Sequence, residues 1–438
     1  MGPGKTLLRR WQAVVLLLMT VGYAGCYLCR SNFSVTLNLI AATLVEQGLQ
    51  PQEARLALGW VASLGTLAYA LGKFVTGSLA DMFGGRRNVL AGMLGSVLFT
   101  LWFAVGGGLP LFTLAWIGNR AVQSLCWTGM VKITGKWFSY SAYASAMGVV
   151  SLSYLFGDAA ARWFMGLLMQ PGWLTETGLG WRGVFIASGF ALLVLFGFDL
   201  LWLKESPRDV GAEEPPPNPT NVYAATDDDS HQHGLRELLV PLLTSPQFVT
   251  VCLLSLGLTF LREAFGIWTP TYFAQTIGSS SAEAAHQSAL FPLLGGSAVL
   301  LAGCLGDWLG RGGRAAVILV GTAAAAVALW LLGSPATIES SLNPVWLTGL
   351  VGFLVLGPYS YLAGAISLDL GGKRGAATAC GIIDGVGYLG AMLAGSSVAI
   401  LSNDYGWAGA FRAMAFVAVL TALVAAVFFH LQRRTQTA

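Results

Sequence analysis

The sequence predicts an all-α membrane protein of twelve transmembrane helices in two pseudo-symmetric six-helix bundles. Three observations carry that expectation: composition, a series of apolar spans, and an internal repeat. Of 438 residues, 55% are hydrophobic and only 10% charged, whereas a soluble domain is roughly a quarter charged. So apolar a chain cannot clothe a water-soluble fold of this size, and lipid must be its main solvent. The 56 glycines and 15 tryptophans suit close helix contacts and interfacial belts.

A spanning helix needs about 20 mostly apolar residues. The first half offers Trp11–Leu44 (long and tilted), Leu56–Leu79, Val89–Val105, Leu111–Ile133, Tyr143–Met169 and Trp181–Leu203. The second offers Phe248–Phe273, His286–Leu305, Ala315–Leu332, Val345–Leu368, Ala376–Leu401 and Trp407–Phe429. Between them the polar stretch with Glu213, Glu214, Pro215–Pro217 and Asp227–Asp229 reads as a flexible linker. The organisation is therefore an N-terminal bundle over 1–203, a linker over 204–246, and a C-terminal bundle over 247–438. Leu235–Leu243 is expected to lie on the membrane surface.

The halves repeat. Gly77–Gly84 (GSLADMFG) returns as Gly303–Gly310 (GCLGDWLG), and Gly180–Phe185 (GWRGVF) as Gly406–Phe411 (GWAGAF), both displaced by 226 residues. Inverted or parallel repeats of this kind mark carriers whose halves rock about a central site. Lys5, Arg9, Arg10, Arg86, Arg87, Lys136, Lys204, Arg208, Arg236, Arg311, Arg314, Lys373, Arg374, Arg433 and Arg434 fall on one side. The other side has Arg55, with Arg182 and Arg412 at helix starts. The positive-inside rule then puts both termini and the linker in the cytoplasm, and a plasma (inner) membrane is the expected location.

Other classes find little support. A net charge of +3 without a basic, aromatic-interleaved tract argues against nucleic acid. The six cysteines lie in apolar runs and read as small buried hydrophobes; Cys26 and Cys29 have a redox or metal spacing but no further ligands nearby. Without a nucleophile–base pair, metal cluster or Walker-type loop, neither an enzyme nor a cofactor is expected. The N-terminal apolar run continues to about Leu44 and reads as a retained first span.

An ionised group at membrane depth is a functional candidate by default. Arg30 lies mid-way along the first span, with Tyr23 and Tyr27 on its face; Arg262 lies in the seventh, the corresponding place in the second half. One arginine from each half suits a phosphate dianion, because each guanidinium makes parallel N–H···O contacts that lysine cannot. Glu263 is expected to face Arg262 poorly, since helix neighbours point about 100° apart. Lys73, with Tyr69 on its face, reads as a third cationic contact, a snorkelling lysine or one half of a structural pair. Asp158 and Arg162 read as a structural or a gating pair, and Asp384 as an acceptor for substrate hydroxyls or as an arginine's balance. Arg120 is open in the same way; Lys132 and Asp199, near cytoplasmic span ends, are expected to snorkel.

The Asp81 and Asp307 loops resemble the signature of the major facilitator superfamily, G-x-L-x-D-x-x-G followed by arginines, with Gly85 standing where an arginine is usual. The segments from Tyr27 to Ser34, Leu261–Arg262, Trp268–Tyr272, Gly357–Tyr359, Gly375–Gly381 and Gly387–Gly390 are similar to the organophosphate:phosphate antiporter family. That resemblance implies the major facilitator fold, Arg30 and Arg262 as phosphate ligands, and Lys73, Tyr27, Tyr69 and Tyr388 around the cavity. It implies inward/outward gating through Asp81, Arg86, Asp307 and Arg311. Gly157, Thr259 and Asp384 depart from the family's glycerol-3-phosphate carriers, so the part that reads the organic moiety differs.

The expected activity is exchange of a sugar phosphate, glycerol phosphate or phosphoglycerate for inorganic phosphate by a monomer embedded in lipid. Closing round empty arginines costs several kcal/mol, so the carrier turns over loaded. The alternatives are a proton-coupled organic-anion symporter using Asp158, Asp384 or Glu263, and a non-transporting sugar-phosphate sensor of the same fold.

Overall fold

The computed structural model describes residues 3–171, 176, 178–216, 218, 221–223, 234–279, 284, 287–334 and 343–437, and every regular element among them is helical. In order these are α1 (Pro3–Cys26), α2 (Leu28–Val35), α3 (Leu37–Glu46), α4 (Pro51–Phe83), α5 (Gly85–Val105), α6 (Leu109–Trp137), α7 (Tyr143–Met169) and α8 (Trp181–Trp202). Then follow α9 (Leu235–Leu243), α10 (Pro246–Thr276), α11 (Leu290–Trp308), α12 (Gly310–Leu332), α13 (Pro344–Tyr361) and α14 (Ser367–Thr437).

Ten stretches of the described residues are long and apolar enough to cross a bilayer. α6 is not among them, although it has 29 residues; Asn119, Arg120, Gln123, Lys132 and Lys136 depress its hydropathy. Pro344–Gly395 runs for 52 residues but turns through a π segment (Leu362–Ile366) and through non-helical backbone at Gly372 and Gly375, making two legs. With α6 and that second leg, the architecture is a multi-pass, twelve-helix membrane fold. Trp60, Trp163 and Trp346 stand exposed on it, a favourable arrangement only where lipid or an interface receives them.

The long first span expected over Trp11–Leu44 is instead broken twice, at Tyr27 and Thr36. The Thr36 hydroxyl donates to the Asn32 carbonyl at 2.8 Å, and the Asn32 side chain accepts the Phe33 N–H. Such local bonds compete with the helix ladder and bend it. The breaks isolate α2, the short helix that carries Arg30.

Contacts divide the chain into two compact units, 1–138 with 150–216, and 139–149 with 217–438. In the first, Phe33, Phe103, Phe112, Trp116, Trp181 and Phe185 form a buried aromatic cluster; Phe103 stacks on Phe112 at 4.8 Å and on Phe185 at 4.6 Å. In the second, Trp407 and Phe411 pack with Tyr272, the Phe411 and Tyr272 rings meeting edge-on at 4.7 Å. The repeated Gly-Trp motif thus anchors a span start in each unit. Trp181 Nε1 donates to Thr43 and Trp407 Nε1 to Gln275.

The linker is not wholly a free tether. Val222 N–H donates to Leu370 O at 2.9 Å, Asn218 Nδ2 to Asp369 O at 2.9 Å, and the Tyr223 hydroxyl to Leu238 O at 2.6 Å. Asp369 and Leu370, which accept two of these bonds, lie just before the non-helical backbone of α14 at Gly372. Its composition cannot build a core of its own, but it can dock onto one. Leu235–Leu243 forms α9 with Leu238 and Leu242 buried. Its placement relative to lipid stays an expectation, and His231, His233 and Asp227–Asp229 lie outside the described residues.

Candidate functional site

In the first unit, cations gather on one tyrosine. Tyr69 is buried on α4, and its ring is approached by Arg30 Cζ at 5.1 Å, Lys73 Nζ at 4.8 Å and Arg120 Cζ at 4.6 Å. Arg30 also lies 5.1 Å over the Tyr27 ring and reaches its hydroxyl at 3.5 Å. Aromatic faces attract guanidinium and ammonium groups, more strongly away from water. Lys73 is fully buried, so the snorkelling alternative fails: the helix face that carries Tyr69 turns it inward. Arg120 is fixed by Gln123 Oε1 at 2.8 Å, and Gln123 in turn by Asn119 Oδ1 at 2.8 Å and the Cys29 carbonyl at 3.3 Å. This polar ladder along α6 holds a cation whose role the sequence leaves open.

Asp158 stands slightly apart. It pairs with Arg162 at 2.9 Å, accepts the hydroxyl hydrogen of Ser31, and is about one-third exposed. Ser31 is Arg30's neighbour in the chain, so Asp158 is joined to the cluster through α2.

In the second unit, Arg262 lies 4.5 Å over the Tyr359 ring and donates from Nη1 to the Tyr359 hydroxyl at 2.6 Å. Its Nη2 pairs with Glu263. The expectation that Glu263 faces Arg262 poorly is therefore corrected: both side chains are long, and the two edges of one guanidinium take two partners. Asp384 and Tyr388 are buried on α14. That helix lies close against α10, the helix of Arg262, because Gly387 and Gly390 present no side chain to Ser255 and Leu256; a Cβ at Gly387 would stand 2.5 Å from Ser255 Oγ.

A sequence model described as Major Facilitator Superfamily matches residues 19–395. The chain belongs to the Major Facilitator Superfamily. Among curated relatives of this facilitator is a probable hexose phosphate transport protein of Chlamydia muridarum (strain MoPn / Nigg), 25% identical over 96% of this chain and 90% of the relative. Another is the membrane sensor protein UhpC of Salmonella typhimurium (strain LT2), 25% identical over 98% and 94%. The solved structure of FucP in the outward conformation superposes with a TM-score of 0.72 at 11% identity, covering 95% of this chain and 99% of that one; it speaks for the fold. The names of these relatives, which include hexose phosphate and glycerol-3-phosphate transporters, match the organophosphate:phosphate antiporter family.

The signature residues of this facilitator divide between two tasks. Asp81 meets Lys132 at 3.2 Å, both buried; Lys132 therefore does not snorkel, because α4 and α6 pack closely enough to offer it a carboxylate. Asp199, also expected to snorkel, is buried against Gly22 of α1. Arg86 donates to the carbonyls of Leu200 and Leu203 at 2.6 Å, capping α8, while the N–H groups of Gly85 and Arg86 donate to Glu205 at 3.0 and 2.6 Å. In the second unit, Asp307 accepts the N–H groups of Ala144 and Ser145 at 2.9 and 2.7 Å, the start of α7. Arg314, 2.9 Å from Asp307, also pairs with Asp369. Arg311 begins α12, and its side chain lies outside the described residues.

Sequence reasoning missed Arg314, Asp369, Tyr359 and Gln123 as partners. Tyr359 carried a signal, since it follows Pro358 inside an apolar span and an intramembrane hydroxyl needs a partner.

Proposed function

We propose that this facilitator is a secondary active transporter that exchanges a phosphorylated organic anion for inorganic phosphate by alternating access. The organic moiety is of the sugar phosphate, glycerol phosphate or phosphoglycerate type. The reading rests on one observation: Arg30, Lys73 and Arg120 gathered round Tyr69 inside a lipid-embedded bundle, an intramembrane charge cluster of the kind that marks a ligand pathway. In this reading Arg30 and Arg262 bind the phosphate, Lys73, Tyr27, Tyr69 and Tyr388 line its surroundings, and Asp384 accepts substrate hydroxyls. Asp158 tunes the Arg30 region through Ser31. Residues 1–203 and 247–438 move as bundles joined by 204–246, with both termini in the cytoplasm of the plasma (inner) membrane. The Asp307 cap on α7 is made and released as the carrier turns over; Asp81, Arg86 and Arg311 steady the same face. It works as a monomer in lipid and needs no cofactor.

The test is counterflow against phosphate-loaded proteoliposomes, screening glycerol phosphate, hexose phosphates and phosphoglycerates. Arg30→Lys and Arg262→Lys each lose a charge-assisted bidentate contact, about 2–3 kcal/mol or roughly a hundredfold in exchange, with helical content retained. Near-normal exchange in both variants refutes the assignment. The likeness to a membrane sensor supports a second reading, ligand binding that signals without flux. Saturable binding of hexose phosphate with no counterflow selects it.

A further inference from the structure

We propose that Glu263 is a built-in counter-ion that lowers the cost of an empty return at Arg262, so that the protein performs net transport of its phosphorylated substrate beside exchange. The inference rests on the reading of Arg262 as a phosphate ligand.

Obligatory exchange has an electrostatic origin. An arginine enclosed at membrane depth without an anion costs several kcal/mol, so an empty carrier stalls and a loaded one proceeds. At Arg262 that argument changes. Nη2 is already ion-paired with Glu263, and Nη1 already donates to Tyr359 at 2.6 Å. The guanidinium has its charge balanced and both edges engaged by the protein itself. Glu263 is one residue away in the chain and cannot diffuse off, so the balance is restored each time substrate leaves.

The pair is nonetheless open to exchange with a ligand. The Arg262 side chain is 18% exposed and that of Glu263 32%, so neither is sealed in the core. A phosphate dianion offers three oxygens and two charges against one carboxylate, which suffices to displace Glu263. Released, Glu263 stays tethered beside Arg262 in the chain, its side chain 32% exposed. Two consequences follow together. The carboxylate competes with substrate and raises the phosphate concentration needed for half-saturation. It also removes the part of the penalty on the unloaded return that Arg262 contributes.

Labelled inorganic phosphate is the probe, with purified full-length protein in proteoliposomes and the membrane potential clamped. Two fluxes are compared: uptake into vesicles holding no anion substrate, and exchange into phosphate-loaded vesicles. Wild-type protein is expected to show both. Glu263→Gln keeps the shape and removes the charge; the ratio of net uptake to exchange should fall at least tenfold, and half-saturation should move to lower phosphate. Glu263→Asp should keep the ratio within about threefold, because the carboxylate is retained. Exchange without net uptake in the wild type, or an unchanged ratio in Glu263→Gln, overturns the proposal. If Glu263→Gln does not fold, the wild-type flux and the Glu263→Asp ratio decide it. Arg262→Lys separates the two ideas: exchange persisting in it overturns the phosphate role of Arg262 itself, whereas loss of both fluxes leaves that role standing and the ratio in Glu263→Gln to judge Glu263.

Discussion

Asp81 and Asp307 hold equivalent places in a repeat displaced by 226 residues, yet they serve different structures. Asp81 pairs with Lys132 inside its own bundle. Asp307 caps the start of α7 and is held by Arg314, which a second carboxylate, Asp369, steadies from α14. The repeat itself shows how they diverged. The same displacement sets Lys132 against Pro358 and Arg314 against Asn88, so neither aspartate's cation has a counterpart in the other copy. Asn88 instead donates its side-chain amide to Thr76 O at 2.8 Å. One motif copy became a fastening within a bundle, and the other a clasp on the first turn of a helix.

The arginine sites differ in a parallel way. Arg30 shares Tyr69 with Lys73 and Arg120, an accumulation of positive charge. Arg262 shares its surroundings with Glu263 and Tyr359. The first arrangement gathers cations on one aromatic face; the second sets a cation against a carboxylate and a hydroxyl.

The sharpest way to break the contrast between the motif copies is Arg314→Met. It removes a buried cation that two carboxylates share, Asp369 being 2% exposed, and should destabilise the protein by about 3–5 kcal/mol, read as a fall in the thermal midpoint in detergent. Lys132→Met removes the cation paired with Asp81, and the comparison predicts a smaller fall than in Arg314→Met. Asp307→Ala removes the cap on α7 and should cost about 1–2 kcal/mol, with faster hydrogen exchange at Ala144 and Ser145 as its signature. Asp81→Ala should leave exchange at those amides unchanged. If both aspartate variants loosen α7 equally, the two copies do not differ as described. The smallest effect is expected from Arg86→Ala, where the lost contacts to the end of α8 are worth about 1 kcal/mol.

Much of the fold was legible because lipid imposes a simple rule: apolar runs of the right length, with polar groups only where they are used. α6 shows where that rule weakens. Leu111–Ile133 reads as a span, but how it tolerates Asn119, Arg120 and Gln123 is seen only in Cys29, Ser96 and Thr100, which receive that ladder. The linker shows the opposite failure. A polar stretch reads as free chain, yet Asn218, Val222 and Tyr223 find acceptors at Asp369, Leu370 and Leu238, which are distant in sequence. The Tyr69 cluster was partly legible, since Lys73 lies one turn along α4. That Arg120 reaches the same ring depends on how α4 and α6 cross, which periodicity cannot supply.

By itself, the sequence determined the solvent, the spans, the two halves and the charged side chains that require a reason to be there. These follow from composition and spacing, which act locally along the chain. Only tertiary structure decided which partner each charge takes: Glu263 and Tyr359 for Arg262, Lys132 for Asp81, and Arg314 with the amides of α7 for Asp307. Pairing energy falls steeply with distance and rises with burial, and both are set when helices far apart in sequence pack together.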